Sequence, residues 1–439
     1  MQQLLKFFLE ASLLKTTQRT GWVWRGISNP ETVAEHSFRL AFFAWVLGRK
    51  ANLNTNRLIK LALLHDICEV YAGDLTPHYG TARYKEIIRS KEKRGALLKR
   101  WIRLPRKEKI KAARLRFLAE KHALLQILRF LPREKRQELL SLWIDFEKGR
   151  TAEGRFVKQL DKIEVLLQAI EYFGVGQNTF VTAWWEEAEE LVEHPALRSF
   201  LKALEQKLYY KEKTEMDPLI DFLMQIGKLK RAPLYIWVLR KVKNPDSVAN
   251  HIFMLALMVW LLSREEKRVF DAGRVIKIAL CSGLYAIHQP VVTSSYAKAL
   301  VGVKTEKARE ELLKKWIRYS VEEKKAIARE RYSQERLAVQ RLVSSLGEDL
   351  QKEIIGSWSE YRDSQTSEAR FANQVYVLEL LTRALQYWTK DKDFPIKAWW
   401  EWAFERSDTQ QNLQFMAALK KKFYVSSRVA RNKKERGTR

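Results

Sequence analysis

The chain reads as an all-α protein in which one helical domain occurs twice. Three observations predict this: the composition, the absence of strand patterning and a long internal repeat. Of 439 residues only 17 are Gly and 10 are Pro, so the strongest helix breakers are scarce while Leu, Ala, Glu, Lys and Arg dominate. No segment alternates apolar and polar residues as a half-buried strand would. The length suffices for two domains of ordinary size.

The repeat sets the organisation. Residues 29–41 read NPETVAEHSFRLA and residues 244–256 read NPDSVANHIFMLA, a shift of 215 positions. The same shift pairs Trp22 with Trp237, Trp101-Ile102-Arg103 with Trp316-Ile317-Arg318, Trp143 with Trp358, and Ala183-Trp184-Trp185 with Ala398-Trp399-Trp400. After a two-residue slip, LIKLAL (58–63) matches VIKIAL (275–280). Chance similarity between helices would not recur at rare tryptophans over the whole length. The expected division is 1–210, 211–427 and a basic tail at 428–439, with the join in the charged stretch 207–218 that Pro218 closes.

Each copy is expected to hold six to nine helices. Residues 1–15 form an amphipathic first helix; the segment has no cleavage site and does not read as a signal peptide. A second helix begins near Glu31, after Asn29-Pro30, with Val33, Phe38, Leu40, Ala41 and Trp45 apolar. A third runs from about Asn56 to Ala72, and Gly73 is its expected C-cap. Others cover 132–148, 151–173 and 181–192. No apolar run reaches membrane-spanning length. Cys68 and Cys281 both fall in apolar helical sequence, which argues against a disulfide framework and for a reducing, cytoplasmic setting.

The formal charge of +28 favours anionic partners. Much of it is concentrated between Arg83 and Lys121, where sixteen Lys and Arg face four Glu. Such a run is commonly a solvated helix face. It also fits an anion-binding surface or a nucleic-acid-binding arm.

The chemistry-bearing residues lie in the most apolar helices of the first copy. His36, the adjacent His65-Asp66 and Asp161 offer imidazole and carboxylate donors, a mixture that suits one divalent ion such as Mn, Fe, Co, Ni or Zn. Neighbouring helical residues differ in direction by about 100°, so His65 and Asp66 can meet one ion only at a helix end or seam. Glu69 follows one turn later, placed for proton transfer, and Asp74 follows the Gly73 cap. Any one of these residues alone would read as a satisfied core histidine or a helix-end charge. Several together in apolar helices would be costly to bury without partners.

The segments TGWVWRGI (20–27), PETVAEHSFRLA (30–41), LALLHDICEVYAGDLTP (61–77) and AEGRFVKQLDKIEVLLQA (152–169) resemble the HD-domain 5'-deoxynucleotidases, over nearly all of residues 1–200. The resemblance implies a helical, metal-dependent phosphohydrolase acting on deoxyribonucleoside 5'-monophosphates. It implies metal binding by His36, His65, Asp66 and Asp161, and water activation and leaving-group protonation by Glu69 and Asp74. It also implies substrate contact by Arg19 and Trp22. The basic stretch after Pro77 is longer than in that family and puts substrate size in question.

The second copy keeps His251 at the place of His36 but has Ser282, Gly283, Ala286, Val291, Tyr376 and Leu234 where the first has His65, Asp66, Glu69, Asp74, Asp161 and Arg19. Its other histidine, His288, aligns with Tyr71 and is read as structural. The frame is kept and the acids are gone, which predicts a folded, inactive domain. Because enzymes of the resembling family are commonly homodimers, the two copies are expected to pair as a pseudo-twofold within one chain. A rival reading is a nucleic-acid-binding or scaffolding protein that uses the basic segments, or an HD-type phosphodiesterase acting on a nucleic-acid-like substrate.

Overall fold

A computed structural model describes residues 1–77, 79–90, 105–175, 179–263, 270–288 and 320–425, with a few positions between 302 and 311. The tail at 428–439, the stretch 91–104 of the basic segment, Val291, and the Trp101 and Trp316 triplets lie outside the described residues. Among the described residues the fold is all-α. The sole β pairings there are two isolated bridges, Gln18–Thr32 and Pro233–Ser247, again 215 residues apart. Contacts divide the chain into two compact units, Met1–Met224 with Ala417–Leu419, and Gln225–Met416 with the chain from Lys420 on. Both cysteines are buried and free.

The first unit runs through α1 (Gln2–Ala11), α2 (Thr20–Val23), α3 (Val33–Lys50), α4 (Thr55–Leu64), α5 (Glu69–Ala72), α6 (Ala82–Arg89), α7 (Arg106–Leu128), α8 (Arg133–Lys148), α9 (Ala152–Phe173), α10 (Thr179–Leu191) and α11 (Pro195–Glu205). Its axis is α3, buried from Val33 to Gly48. A capping box starts that helix: Thr32 Oγ1 accepts from the Glu35 N–H at 3.2 Å, and Glu35 Oε2 accepts from the Thr32 N–H at 2.8 Å. Helices α4 and α9 pack along α3, and α7 packs on α5. Each large apolar side chain so buried, such as Trp45 or Phe42, contributes about 1.5–3 kcal/mol.

The helix expected from Asn56 to Ala72 is in fact two. Helix α4 stops at Leu64 with His65 as its C-cap residue, and the Ile67 and Glu69 N–H groups donate to the carbonyls of Leu64 and Asp66. These short-range bonds tighten the chain into a turn before α5 begins. Gly73 ends α5 with φ of 72°, in the left-handed region where a glycine carries no Cβ penalty.

Helix α12 (Asp217–Gly227) carries the chain from the first unit into the second, where α13 (Tyr235–Val238), α14 (Val248–Leu262), α15 (Ala272–Cys281), α16 (Val321–Val343), α17 (Glu348–Asp363), α18 (Ser367–Lys390), α19 (Ile396–Arg406) and α20 (Gln410–Lys420) follow. Helix α14 is buried along its whole length and capped by Ser247, which accepts from the Asn250 N–H at 3.1 Å. Local networks of the first unit recur here. Arg57 and Thr151 both donate to Asp145 in the first; Arg274 and Thr366 both donate to Glu360 in the second. Tyr172 accepts from the Glu31 N–H, as Tyr387 does from the Asp246 N–H. No described helix is long and apolar enough to cross a membrane.

Candidate metal and phosphate site

The site forms where α3, the turn after α4 and α9 meet. His36 comes from the buried first turns of α3, His65 and Asp66 from the turn, and Asp161 from the middle of α9. His36 Nε2 lies 3.2 Å from His65 Nε2, 3.1 Å from Asp161 Oδ1 and 3.9 Å from Asp66 Oδ2. Asp66 Oδ2 is also 3.0 Å from His65 Nε2. One ligand atom each from His36, His65 and Asp161 falls within 4.8 Å of the others. The helix end after α4 lets two consecutive residues, His65 and Asp66, reach one point.

Each histidine is held from behind. His36 Nδ1 meets Glu164 Oε2 at 2.5 Å, and His65 Nδ1 meets the Ala62 carbonyl at 2.8 Å. Those acceptors claim the Nδ1 protons, so both Nε2 atoms turn lone pairs toward each other and toward two carboxylates. One shared proton can satisfy only one of these approaches. A cation satisfies them all, and a backing carboxylate that fixes the ring is the usual support for a metal-binding imidazole. The donor set therefore fits a divalent ion.

The electrostatics agree. Burial works against a charged His36, and Arg19 adds to this, yet Glu164 and Asp161 raise its pKa to about 9. Burial likewise opposes the Asp66 carboxylate, but His65, Arg19 and His36 hold it well below the usual range. Asp161 is held low against its burial by Lys162 and the two histidines. Glu69 goes the other way: burial, then Asp66 and Asp74, push its carboxyl up, with Arg19 opposing. Its Oε2 is buried and has no hydrogen-bond partner among the described residues.

Arg19 sits between the acids. Its Nη1 donates to Asp66 Oδ2 at 2.8 Å and lies 3.3 Å from Asp74 Oδ1 and 3.8 Å from Glu69 Oε1. Asp74 is fixed in turn by the Thr20 N–H at 2.5 Å. Trp22 does not join this group. It is 2% exposed, its Nε1 donates to Glu31 at 3.0 Å, and its ring packs on Tyr172 and Trp184. Both the indole face and its N–H are used inside the unit.

Sequence reasoning missed the backing layer. Glu164 is fully buried and takes Arg39 Nε on Oε1 at 2.6 Å while Oε2 holds His36; Arg39 also reaches Glu171 at 2.7 Å. The available signal was spacing, since Glu164 lies three residues after Asp161 and Arg39 three after His36. Missed too was Glu120 of α7, nearly buried beside Arg116 at 3.4 Å. Burial raises its pKa to about 8 against the pull of Arg116, with Glu147 and Asp66 reinforcing the rise.

In the second unit His251 Nδ1 meets Glu379 Oε2 at 2.5 Å, matching His36 and Glu164, but Tyr376 packs edge-on against the His251 ring. His251 Nε2 has no hydrogen-bond partner among the described residues.

Comparison with known proteins accords with this geometry. The family model described as HD domain matches residues 11–201, 226–284 and 300–417. The 5'-deoxynucleotidase HDDC2 of Homo sapiens is 35% identical over 171 residues, which is 39% of this chain and 69% of that protein. The protein of the same name from Dictyostelium discoideum is 29% identical over 216 residues, covering 47% of this chain and 98% of its own. A solved structure of a conserved hypothetical protein from Pyrococcus furiosus is 26% identical over 46% of this chain and 98% of that chain, with a TM-score of 0.32. With the histidine–aspartate turn, the family match and the 5'-deoxynucleotidase relatives in agreement, the chain is a hydrolase and belongs to the HD-domain 5'-deoxynucleotidase family.

Proposed function

We propose that the first unit hydrolyses deoxyribonucleoside 5'-monophosphates to the nucleoside and phosphate. The observation that carries this reading is the clustering of donor atoms of His36, His65 and Asp161 within 4.8 Å of one another, with Asp66 3.0 Å from His65 and the half-buried Arg19 alongside. His36, His65, Asp66 and Asp161 would hold a divalent transition metal ion, which supplies positive charge to polarise a phosphoryl oxygen. Arg19 presents a planar fork suited to the phosphate oxygens, and the phosphate would take over the charge that Asp66, Glu69 and Asp74 now share. Asp74, anchored by Thr20, accepts the proton of the attacking water. Glu69, whose carboxyl is pushed up by burial and its acidic neighbours, delivers a proton to the departing 5' oxygen. The P–O5' bond breaks as the water oxygen bonds to phosphorus.

The second unit is proposed to be non-catalytic, a structural or regulatory partner of the first in an intramolecular pair. The decisive assay is phosphate release from deoxy- and ribonucleoside monophosphates with Mn, Co, Fe, Ni and Zn in turn. Release from the deoxy series is expected. Asp66→Ala should abolish it, and Glu69→Ala should lower kcat by about 10²- to 10⁴-fold while metal binding persists. No release from any deoxynucleotide with any ion would overturn the assignment.

A further inference from the structure

Beyond the site, the basic segment contributes a groove. A cavity of about 310 Å³ is lined by Tyr79, Gly80, Tyr84, Lys85, Ile88 and Arg89. The Tyr84 ring forms one side of an aromatic cluster, 5.5 Å from Tyr79 and 5.8 Å from Trp24 between centroids. Helix α6 begins with Thr81, whose Oγ1 accepts from the Tyr84 N–H at 3.1 Å. Its spacing puts Tyr84 above Ile88 and Lys85 above Arg89, giving an apolar and a cationic row side by side. Ile88 is 50% exposed, and Lys85 and Arg89 are exposed as well.

The groove is tied to the reaction site at two points. Trp24 stands one turn after Thr20, its N–H donating to the Thr20 carbonyl at 2.9 Å, and Thr20 holds Asp74. Tyr79 lies five residues beyond Asp74, with its N–H on the Thr76 carbonyl at 3.0 Å. A mononucleotide has one phosphate, which the reading above assigns to Arg19 and the ligand cluster. Lys85 and Arg89 call for a second phosphate, and the tyrosines beside them for a second base. Aromatic rings interleaved with cations are how single strands are held, by stacking and by phosphate pairing. The overall charge of +28 favours such a polyanion.

We propose that this groove binds the second nucleotide of a 5'-phosphorylated single strand, so that the first unit removes the terminal 5'-phosphate from short oligonucleotides. The step rests on the hydrolytic reading above. Water attacks phosphorus, the bond to the terminal 5' oxygen breaks, that oxygen takes a proton, and the internal phosphodiester on Lys85 and Arg89 stays intact.

The test compares a 5'-phosphorylated deoxydinucleotide with a deoxynucleoside monophosphate in the full-length protein. The dinucleotide should show a KM about tenfold lower, in line with one stacked base. Tyr84→Ala and, separately, Lys85→Ala with Arg89→Ala should each raise that KM about tenfold, with mononucleotide kcat/KM within twofold of the parent. Equal KM for both substrates, or equal losses on both, overturns the proposal. Fluorescence titration with the same dinucleotide, labelled at its 3' end, separates the two readings. If the parent releases phosphate from neither substrate, the hydrolytic reading fails. The groove then stands if both variants weaken binding about tenfold, and falls if they leave it unchanged.

Discussion

Glu164 shows what a single buried residue contributes. It is fully buried, and its two oxygens divide between His36 and Arg39. The imidazole is thereby fixed in rotamer before any ligand arrives. His36, His65, Asp66 and Asp161 were legible in the sequence because polar groups in apolar helices stand out. Glu164 was not, because a glutamate among helix-forming residues looks like an ordinary solvated charge until the face it occupies is known. That the Trp22 ring lies inside the unit was not legible either, because nothing in a motif tells which side of a ring faces the core. Glu120 yields a prediction at this scale. Its folded pKa is raised to about 8, so the folded state binds that proton more tightly than the unfolded state does. The associated stability is present below the unfolded value and is lost as pH rises toward 8. In metal-free protein Glu120→Gln should raise the melting temperature by an amount that grows between pH 5 and 8 and then levels off. A gain that is the same at pH 5 and pH 9 would refute the buried-carboxyl account.

At the level of elements, caps were easier to read than breaks. The helices near 132–148, 151–173 and 181–192 were placed to within a few residues, since Pro132 and Thr151 open two of them and glycines close two. The break after Leu64 left no such mark, because the turn is made by His65 and Asp66 themselves. The starts of α4 and α9 are joined at the Asp145 junction. Asp145 at the end of α8 accepts from Arg57 of α4 at 2.5 Å and from both the backbone and hydroxyl of Thr151, the N-cap of α9. Gly154 lies against it, and a Cβ there would come 2.4 Å from Asp145 Oδ1 and 2.7 Å from its carbonyl oxygen. Gly154→Ala should therefore cost about 1–3 kcal/mol, read by urea unfolding. In the second unit Ala369 replaces this glycine and Glu360 replaces Asp145, so the longer carboxylate goes with the added methyl. A neutral Gly154→Ala would mean that the junction is loose.

For the whole molecule the two units can be compared at one histidine. His36→Ala should abolish phosphate release. His251→Ala should leave kcat within twofold, while lowering stability by about 1–3 kcal/mol because the buried His251–Glu379 hydrogen bond is lost. Loss of release in the second variant would show that the second unit takes part in the chemistry. The repeat was legible because large tryptophans tolerate little change in a packed interior. That Ser282, Gly283 and Tyr376 stand where the first unit has His65, Asp66 and Asp161 could be read residue by residue, whereas what became of the space around them could not. Gly283 stands where the first unit has Asp66, and a Cβ there would come 2.8 Å from Val248 Cγ1 and 2.8 Å from Ile252 Cδ1. Ser37 occupies the place of Ile252 in the first unit. Gly283→Asp alone should destabilise the fold by about 1–3 kcal/mol, and Ile252→Ser should recover part of that loss in thermal melts. Full tolerance of the single change would contradict the packing. If the halves descend from one ancestor, their divergence works as a ratchet: the surroundings of a lost ligand have closed over it, and no single reversion leads back.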